Sequence, residues 1–221
     1  RCCVPHPLLH CSPLHLSTSS KIHQVIVVGG GLAGLSAAHT VLENGGRVLV
    51  LDKSPFLGGN STKATSGING AGTRMQEQNG IKDNRDLFYE DTAKSAGTGC
   101  RPPLVKTLTH GSGPAVEWLQ ESFGLDLTRV GHLGAHSVPR THRGKEKFPG
   151  AAITMGLMEA YDHLVETQPN RARLICKARV TELVQDAAGT LQVRWGELAA
   201  AEAELAAEEK SAVAAIEELH L

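Results

Sequence analysis

No stretch of the sequence approaches the roughly 18 consecutive apolar residues that a membrane-spanning helix requires. That absence predicts a soluble protein with no transmembrane segment. Excess charge of either sign is also missing: 22 Lys and Arg against 23 Asp and Glu leave a formal net charge of -1. Nothing in this balance calls for nucleic acid or an anionic surface as partner, which leaves a small molecule as the default ligand. Cys2, Cys3, Cys11, Cys100 and Cys176 are odd in number and hold no C-x-x-C pair or zinc spacing, so they read as free thiols with no metal site among them. Free thiols suit a reducing compartment, and the expected location is cytoplasmic or mitochondrial.

Acids are absent from Arg1 to Leu42, and the opening stretch is rich in Ser, Pro and His. Residues 1–22 are therefore expected to be a disordered or targeting-like leader, although the cations typical of such a segment are few. The first residue is Arg1 rather than Met, consistent with a beginning lost to fragmentation, processing or a faulty gene model. At the other end, residues 196–221 hold nine Ala and seven Glu against one Lys, a charge of -6 that leaves +5 for the remainder. Leu198, Leu205, Val213, Ile216 and Leu219 recur near one helical face, which predicts an acidic amphipathic helix, either packed loosely, offered to a helix partner, or an artefact of the gene model.

Between these ends, Val25 to Val28 is a short β-branched run closed by glycines, the pattern of a buried parallel strand. A helix is expected from Leu32 to Asn44, stopped by Gly45 and Gly46, and a second strand from Val48 to Leu51 ending at Asp52. Lys53 to Thr73 reads as a long loop, followed by helices over about 84–96, 102–110 and 114–123, each opened by a cap residue or a proline. Residues 131–150 read as a Gly-, His- and Arg-rich loop and 153–166 as a helix. Strands follow at 173–176, 179–184 and 191–195, the last two joined as a hairpin. His23, His39, His110 and His163 are scattered without metal spacing and read as packing or surface residues.

Gly29-Gly30-Gly31-Leu32-Ala33-Gly34 supplies G-x-G-x-x-G between a strand and a helix, with Asp52 eighteen residues after Gly34. In such a cradle Gly29 permits a tight turn, Gly31 lets a pyrophosphate approach the backbone, and Gly34 lets helix and strand pack closely. Phosphates rest on amides at the positive helix end, and an acid at the second strand's end accepts bonds from ribose hydroxyls while repelling a 2′-phosphate. After Asp52 and Lys53 comes a second glycine pair, Gly58 and Gly59, then Asn60, Ser61, Thr65, Ser66 and Gly67, small polar groups and open backbone where a simple NAD enzyme proceeds to another helix. These features favour FAD over NAD. The expected class is α/β: a Rossmann-like FAD-binding domain over 23–195, a parallel sheet with flanking helices and a β-hairpin, truncated, followed by the amphipathic helix of 196–221.

Residues 23–195 resemble the start of the FAD-dependent fumarate reductase and succinate dehydrogenase superfamily, in particular its soluble eukaryotic fumarate reductases. The resemblance is carried by Leu51 to Lys53, Gly58 to Gly70 and Gly134 to Arg143. It implies FAD contacts at Ala33, Asp52, Asn60, Ser61, Thr65, Ser66 and, through its backbone, Val180. It also implies hydride transfer from reduced FAD to fumarate, giving succinate, with the proton delivered by an arginine in a capping domain beyond the matched region. No catalytic residue is therefore assigned within this chain. His136, Arg140, His142 and Arg143 form a cationic cluster that is a candidate for gripping a dicarboxylate, or for anchoring its own loop. Two other readings are a non-catalytic flavin-binding or protein-interaction module from a truncated gene product, and an L-aspartate oxidase or ketosteroid dehydrogenase branch. Without a proton donor and a dry cap, residues 1–221 alone are expected to show no fumarate reduction with a reduced viologen as donor, and measured turnover would overturn this.

Overall fold

The structure, a computed structural model, describes residues 24–145, 148–185, 187 and 191–197. Strand β1 (Gln24–Val28) leads into helix α1 (Leu32–Glu43), which returns the chain to β2 (Arg47–Leu51), paired in parallel with β1 from Gln24 opposite Arg47 to Val28 opposite Leu51. Asn44 caps α1 and Gly45 takes a positive φ, so the glycine pair ends the helix as its sequence position predicts. Arg171 adds its guanidinium to the exposed carbonyls of Leu42 and Gly46 at this end. Strand β6 (Ala172–Ile175) joins β2 in parallel, and the sheet order is β1-β2-β6. β1 lies at the edge of this sheet, with Val25 and Val28 exposed.

Two further helices build the core with the sheet and α1. Helix α4 (Pro102–Phe123) buries Thr109, Ser112, Gly113, Val116 and Leu119, and α5 (Pro149–Thr167) buries Ile153, Thr154, Leu157 and Tyr161. Val116, Leu119, Ile153, Leu157 and Tyr161 form one core with Leu35, Ala38 and Leu42 of α1 and Val48 and Val50 of β2. Each large aliphatic side chain buried there contributes on the order of 1.5–3 kcal/mol of transfer free energy. His39 belongs to this core as a neutral packing residue. Its Nε2 sits 3.0 Å from the Leu157 carbonyl, which makes it the donor, and its ring meets Phe123 and Tyr161 edge to face. Tyr161 donates to the Arg173 carbonyl.

The expected pair of helices at 102–110 and 114–123 is one helix, α4, running through Pro114. Proline removes an amide and crowds the carbonyl four residues earlier, yet the buried positions 109, 112, 116 and 119 form a single stripe across it. Ser112 supplies its hydroxyl to the Thr109 carbonyl and accepts the Ala71 amide, stitching the helix to the adjoining loop. Gly113 packs against the Ala71 carbonyl, where a side chain would not fit. Tertiary packing thus outweighs the break signal.

The regions read as loops contain short elements. Thr73 caps a five-residue helix α2 (Arg74–Gln78) through a reciprocal capping box with Gln76. β3 (Ile68–Asn69) and β4 (Arg129–Gly131) flank β5 (Thr141–Arg143) in an antiparallel sheet ordered β3-β5-β4. Helix α3 (Arg85–Ala96) is capped by Asn84, whose side chain accepts the Asp86 and Leu87 amides. β7 (Ala178–Gln185) pairs with β8 (Leu191–Glu197) as the expected hairpin, and β8 takes up Gly196 and Glu197, which had been assigned to the acidic helix. The rest of that helix and the leader over 1–22 lie outside the described residues.

Two adjacent glycines in α4 give opposite expectations. Gly111→Ala meets open space and should stabilise by up to about 1 kcal/mol through helix propensity. Gly113→Ala places a Cβ 2.5 Å from the Ala71 carbonyl oxygen and should cost about 2 kcal/mol or more. Urea denaturation of the two variants separates these outcomes.

Candidate functional site

The end of β1, the start of α1 and the end of β2 converge on one cradle. Gly29 turns the chain with φ of 102° and donates its amide to Leu51, 2.8 Å away. A Cβ on Gly34 would run into the Gly29 carbonyl oxygen, so this glycine is what lets α1 lie directly against the turn. Gly31 is the N-cap and brings no side chain to the helix terminus. The first amides of a helix have no intrahelical acceptor and carry the positive end of its dipole, and Ala33 in this turn is exposed.

Asp52 closes the cradle from the side. Its Oδ2 accepts the Gly30 amide and its Oδ1 the Ser54 amide, both at 2.7 Å, leaving each oxygen another lone pair. The second glycine pair docks on the first: the Gly58 amide donates to the Gly30 carbonyl, and Gly31 and Gly58 form a parallel bridge. The 3-10 helix Gly59–Lys63 then brings Ser61 Oγ within 3.2 Å of the Leu32 amide, so Ser61 covers the first donor of α1. Lys53, Gly59, Asn60, Thr65 and Ser66 are exposed around this mouth. Gly67 lies against the His142 carbonyl at the start of β3. Val180 is half-buried in β7 opposite Trp195, two residues beyond Ala178, whose amide donates to the Asp52 carbonyl. The residues present fit the pyrophosphate and ribose of a dinucleotide: a helix terminus whose N-cap brings no side chain, an acid beside it, and a glycine at the point of closest approach.

The cationic cluster is arranged differently from a substrate grip. Arg140 is fully buried; its Nε and Nη2 bond both oxygens of Asp83 at 3.1 and 2.9 Å, and its Nη1 bonds Asp91 at 2.8 Å. Its Cζ lies 4.6 Å from the centre of the Phe88 ring. His142 is equally buried, between the Arg140 carbonyl at Nδ1 and the Thr73 hydroxyl at Nε2. Since a carbonyl only accepts, Nδ1 carries the proton and Nε2 accepts from Thr73. Both side chains are engaged in anchoring the loop, the second of the two roles that their sequence leaves open. Arg143 is exposed at the end of β5, and half-buried His136 faces a cavity of about 370 Å³ with Asn69, Phe88 and Asp91. Burial, followed by the neighbouring Arg140 charge, lowers the His136 pKa.

Asp83, Asp91, Thr73 and Gln76 are partners that the sequence reading missed. The T-x-x-Q spacing of Thr73 and Gln76 was a legible capping signal, whereas Asp83 and Asp91 meet Arg140 from 57 and 49 residues away with no local pattern to reveal it.

The profile of the FAD binding domain family matches residues 24–217. The chain belongs to this family. Its members here are FAD-dependent oxidoreductases of the fumarate reductase and succinate dehydrogenase type, and their cofactor is FAD. A fumarate reductase of Schizosaccharomyces pombe is 43% identical over 171 residues, covering 77% of this chain and 33% of that protein. Fumarate reductase 1 of Saccharomyces cerevisiae is 41% identical over 166 residues, 74% of this chain and 35% of that protein. Among solved structures, the open conformation of a flavocytochrome c3 fumarate reductase superposes with a TM-score of 0.67 at 34% identity, over 74% of this chain and 28% of that one. The flavoprotein chain thus spans about a third of the length of these relatives. Among the described residues no helix is long and apolar enough to cross a membrane.

Two glycines in the FAD cradle separate folding from ligand approach. Gly34→Ala should unfold or severely destabilise the domain, while Gly31→Ala, with an ordinary φ of -75° and no atom nearer than 3.6 Å to the added Cβ, should leave its melting temperature within about 2 °C. Burial also depresses the pKa of His39 and His142 below the ordinary 6.5. The unfolded chain then binds those protons more readily than the folded one, so the stability they support is complete above pH 6.5 and is lost as the pH falls from there towards the folded values. Scanning calorimetry should show a lower midpoint at pH 5.5 than at pH 7.5, and a constant midpoint would contradict neutral burial.

Proposed function

We propose that this chain carries the FAD site of a fumarate reductase-like oxidoreductase whose full-length form reduces fumarate to succinate. The observation that carries the reading is the glycine-bridged mouth in which the α1 terminus, Asp52 and the Gly58–Ser61 segment share one rim. Bound, reduced FAD supplies a hydride for a carbon–carbon double bond. The residues of this chain hold and orient it. Backbone amides of the Gly31 to Gly34 turn other than that of Leu32, which Ser61 covers, receive the pyrophosphate, and the spare lone pairs of Asp52 accept the ribose hydroxyls while its charge repels a 2′-phosphate. Asn60, Ser61, Thr65 and Ser66 offer short polar side chains along the path to the isoalloxazine, with Gly67 and Asn69 beyond them. Val180 lines the adenine end through its backbone.

Fumarate as substrate is supported by the names of the relatives and by the run from Gly134 to Arg143. Of the cationic cluster, Arg143 and His136 retain the exposure that contact with a carboxylate requires. The 22% identical 3-ketosteroid dehydrogenase of Rhodococcus jostii, with a TM-score of 0.65, shares the fold and carries no argument about substrate.

Titrating the purified chain with FAD and following flavin fluorescence quenching tests the cofactor site. Wild type should bind, and Asp52→Asn should weaken binding by about 10- to 100-fold, the size of a lost charge-assisted hydrogen bond. Gly31→Ala should lose FAD while remaining folded. A folded wild-type chain that refuses FAD would overturn the reading. For the substrate, a full-length protein carrying this domain should reduce fumarate and leave L-aspartate and 3-ketosteroids untouched.

A further inference from the structure

The Arg140 to His142 cluster is built around a very short strand. β3 is two residues long, and its strand neighbour is β5: Ile68 pairs with His142 and Asn69 with Thr141. The pairing is reinforced from three sides. Thr141 Oγ1 donates to Asn69 Oδ1 at 2.7 Å. The Arg140 carbonyl accepts both the Gly70 amide and the His142 Nδ1–H, each at 2.9 Å, so one oxygen links the imidazole to the end of β3. At the other end, Gly67 touches the His142 carbonyl so closely that no side chain would fit.

β5 in turn is fixed to the helical layer. Arg140 is bound by Asp83 and Asp91, and Asp91 also accepts the Ser137 amide and hydroxyl. Gln76 joins the Asp83 carboxylate to the Pro139 carbonyl, and Thr73, which caps α2, donates to His142. Every member but the exposed Ser137 is buried or partly buried, and no buried side-chain polar atom among the described residues lacks a partner. A satisfied polar network in a low-dielectric interior specifies geometry more sharply than apolar packing of the same volume.

We propose that His142 and Thr141, held by the Arg140 cluster, are positioning residues for the flavin ring: through β5 they set the height of Gly67 to Asn69 relative to the dinucleotide cradle. The proposal rests on the reading that residues 65–69 face the isoalloxazine. It separates two halves of the site. The adenosine half depends on Asp52 and α1, which this network does not touch, whereas the ring half depends on a two-residue strand hung from His142 and Thr141.

The test uses the purified chain with two probes, ADP for the adenosine half and FAD for the whole site, together with visible circular dichroism of the bound flavin. Thr141→Val removes only the latch to Asn69, and His142→Leu removes both imidazole bonds. Each should keep ADP affinity within about twofold, lose about tenfold in FAD affinity, and change the flavin dichroism. His142→Asn, which retains a donor for the Arg140 carbonyl, should recover part of both FAD signals. A folded Thr141→Val with unchanged FAD affinity and dichroism would overturn the proposal, as would parallel loss of ADP and FAD in the variants. A wild-type chain that binds ADP but no FAD would instead defeat the underlying assignment of the ring site.

Discussion

One residue, Asp52, ties four segments of the fold together. Its carboxylate takes the amide of Gly30 from the first turn and of Ser54 from the following loop. Its own backbone amide donates to Ile175 at the end of β6, and its carbonyl accepts from Ala178 at the start of β7. The acid that fits a ribose is thus also the knot that fixes the ends of β1, β2, β6 and β7 relative to one another. A ligand that bound there would act on all of them at once and so would stabilise the whole cradle.

The β1-α1-β2 unit was plain from the sequence because each signal was local. A β-branched run, a glycine turn, a helix closed by Gly45 and an acid after the second run all lie within thirty or so residues, and each has its own stereochemical cause. The β3-β5-β4 sheet was much less visible. β3, β4 and β5 hold two or three residues each, too short for any period to register. Arg140 and His142 carried charge and hydrogen-bonding capacity that suit a ligand or a buried anchor equally well. Only the distant Asp83, Asp91 and Thr73 decide between the two, and distance along the chain hides them. Pro114 misled for a related reason: its local break signal is real, but the buried stripe of 109 and 112 before it and 116 and 119 after it outweighs that signal.

The cradle and the β3-β5-β4 sheet are therefore built on different principles. The cradle relies on backbone: helix amides, glycine contacts and main-chain bonds to Asp52. The small sheet relies on side chains, a buried arginine between two carboxylates and a neutral imidazole. Backbone devices tolerate sequence drift as long as glycines persist, whereas the side-chain network depends on each partner retaining its identity.

β1 stands at the rim of its sheet with Val25 and Val28 turned to solvent, and among the described residues no strand pairs with its outer side. A row of amides and carbonyls beside uncovered valines is a template for another chain. The consequence is colloidal: whatever leaves that border uncovered favours association at high concentration, and charge introduced at Val25 would blunt it.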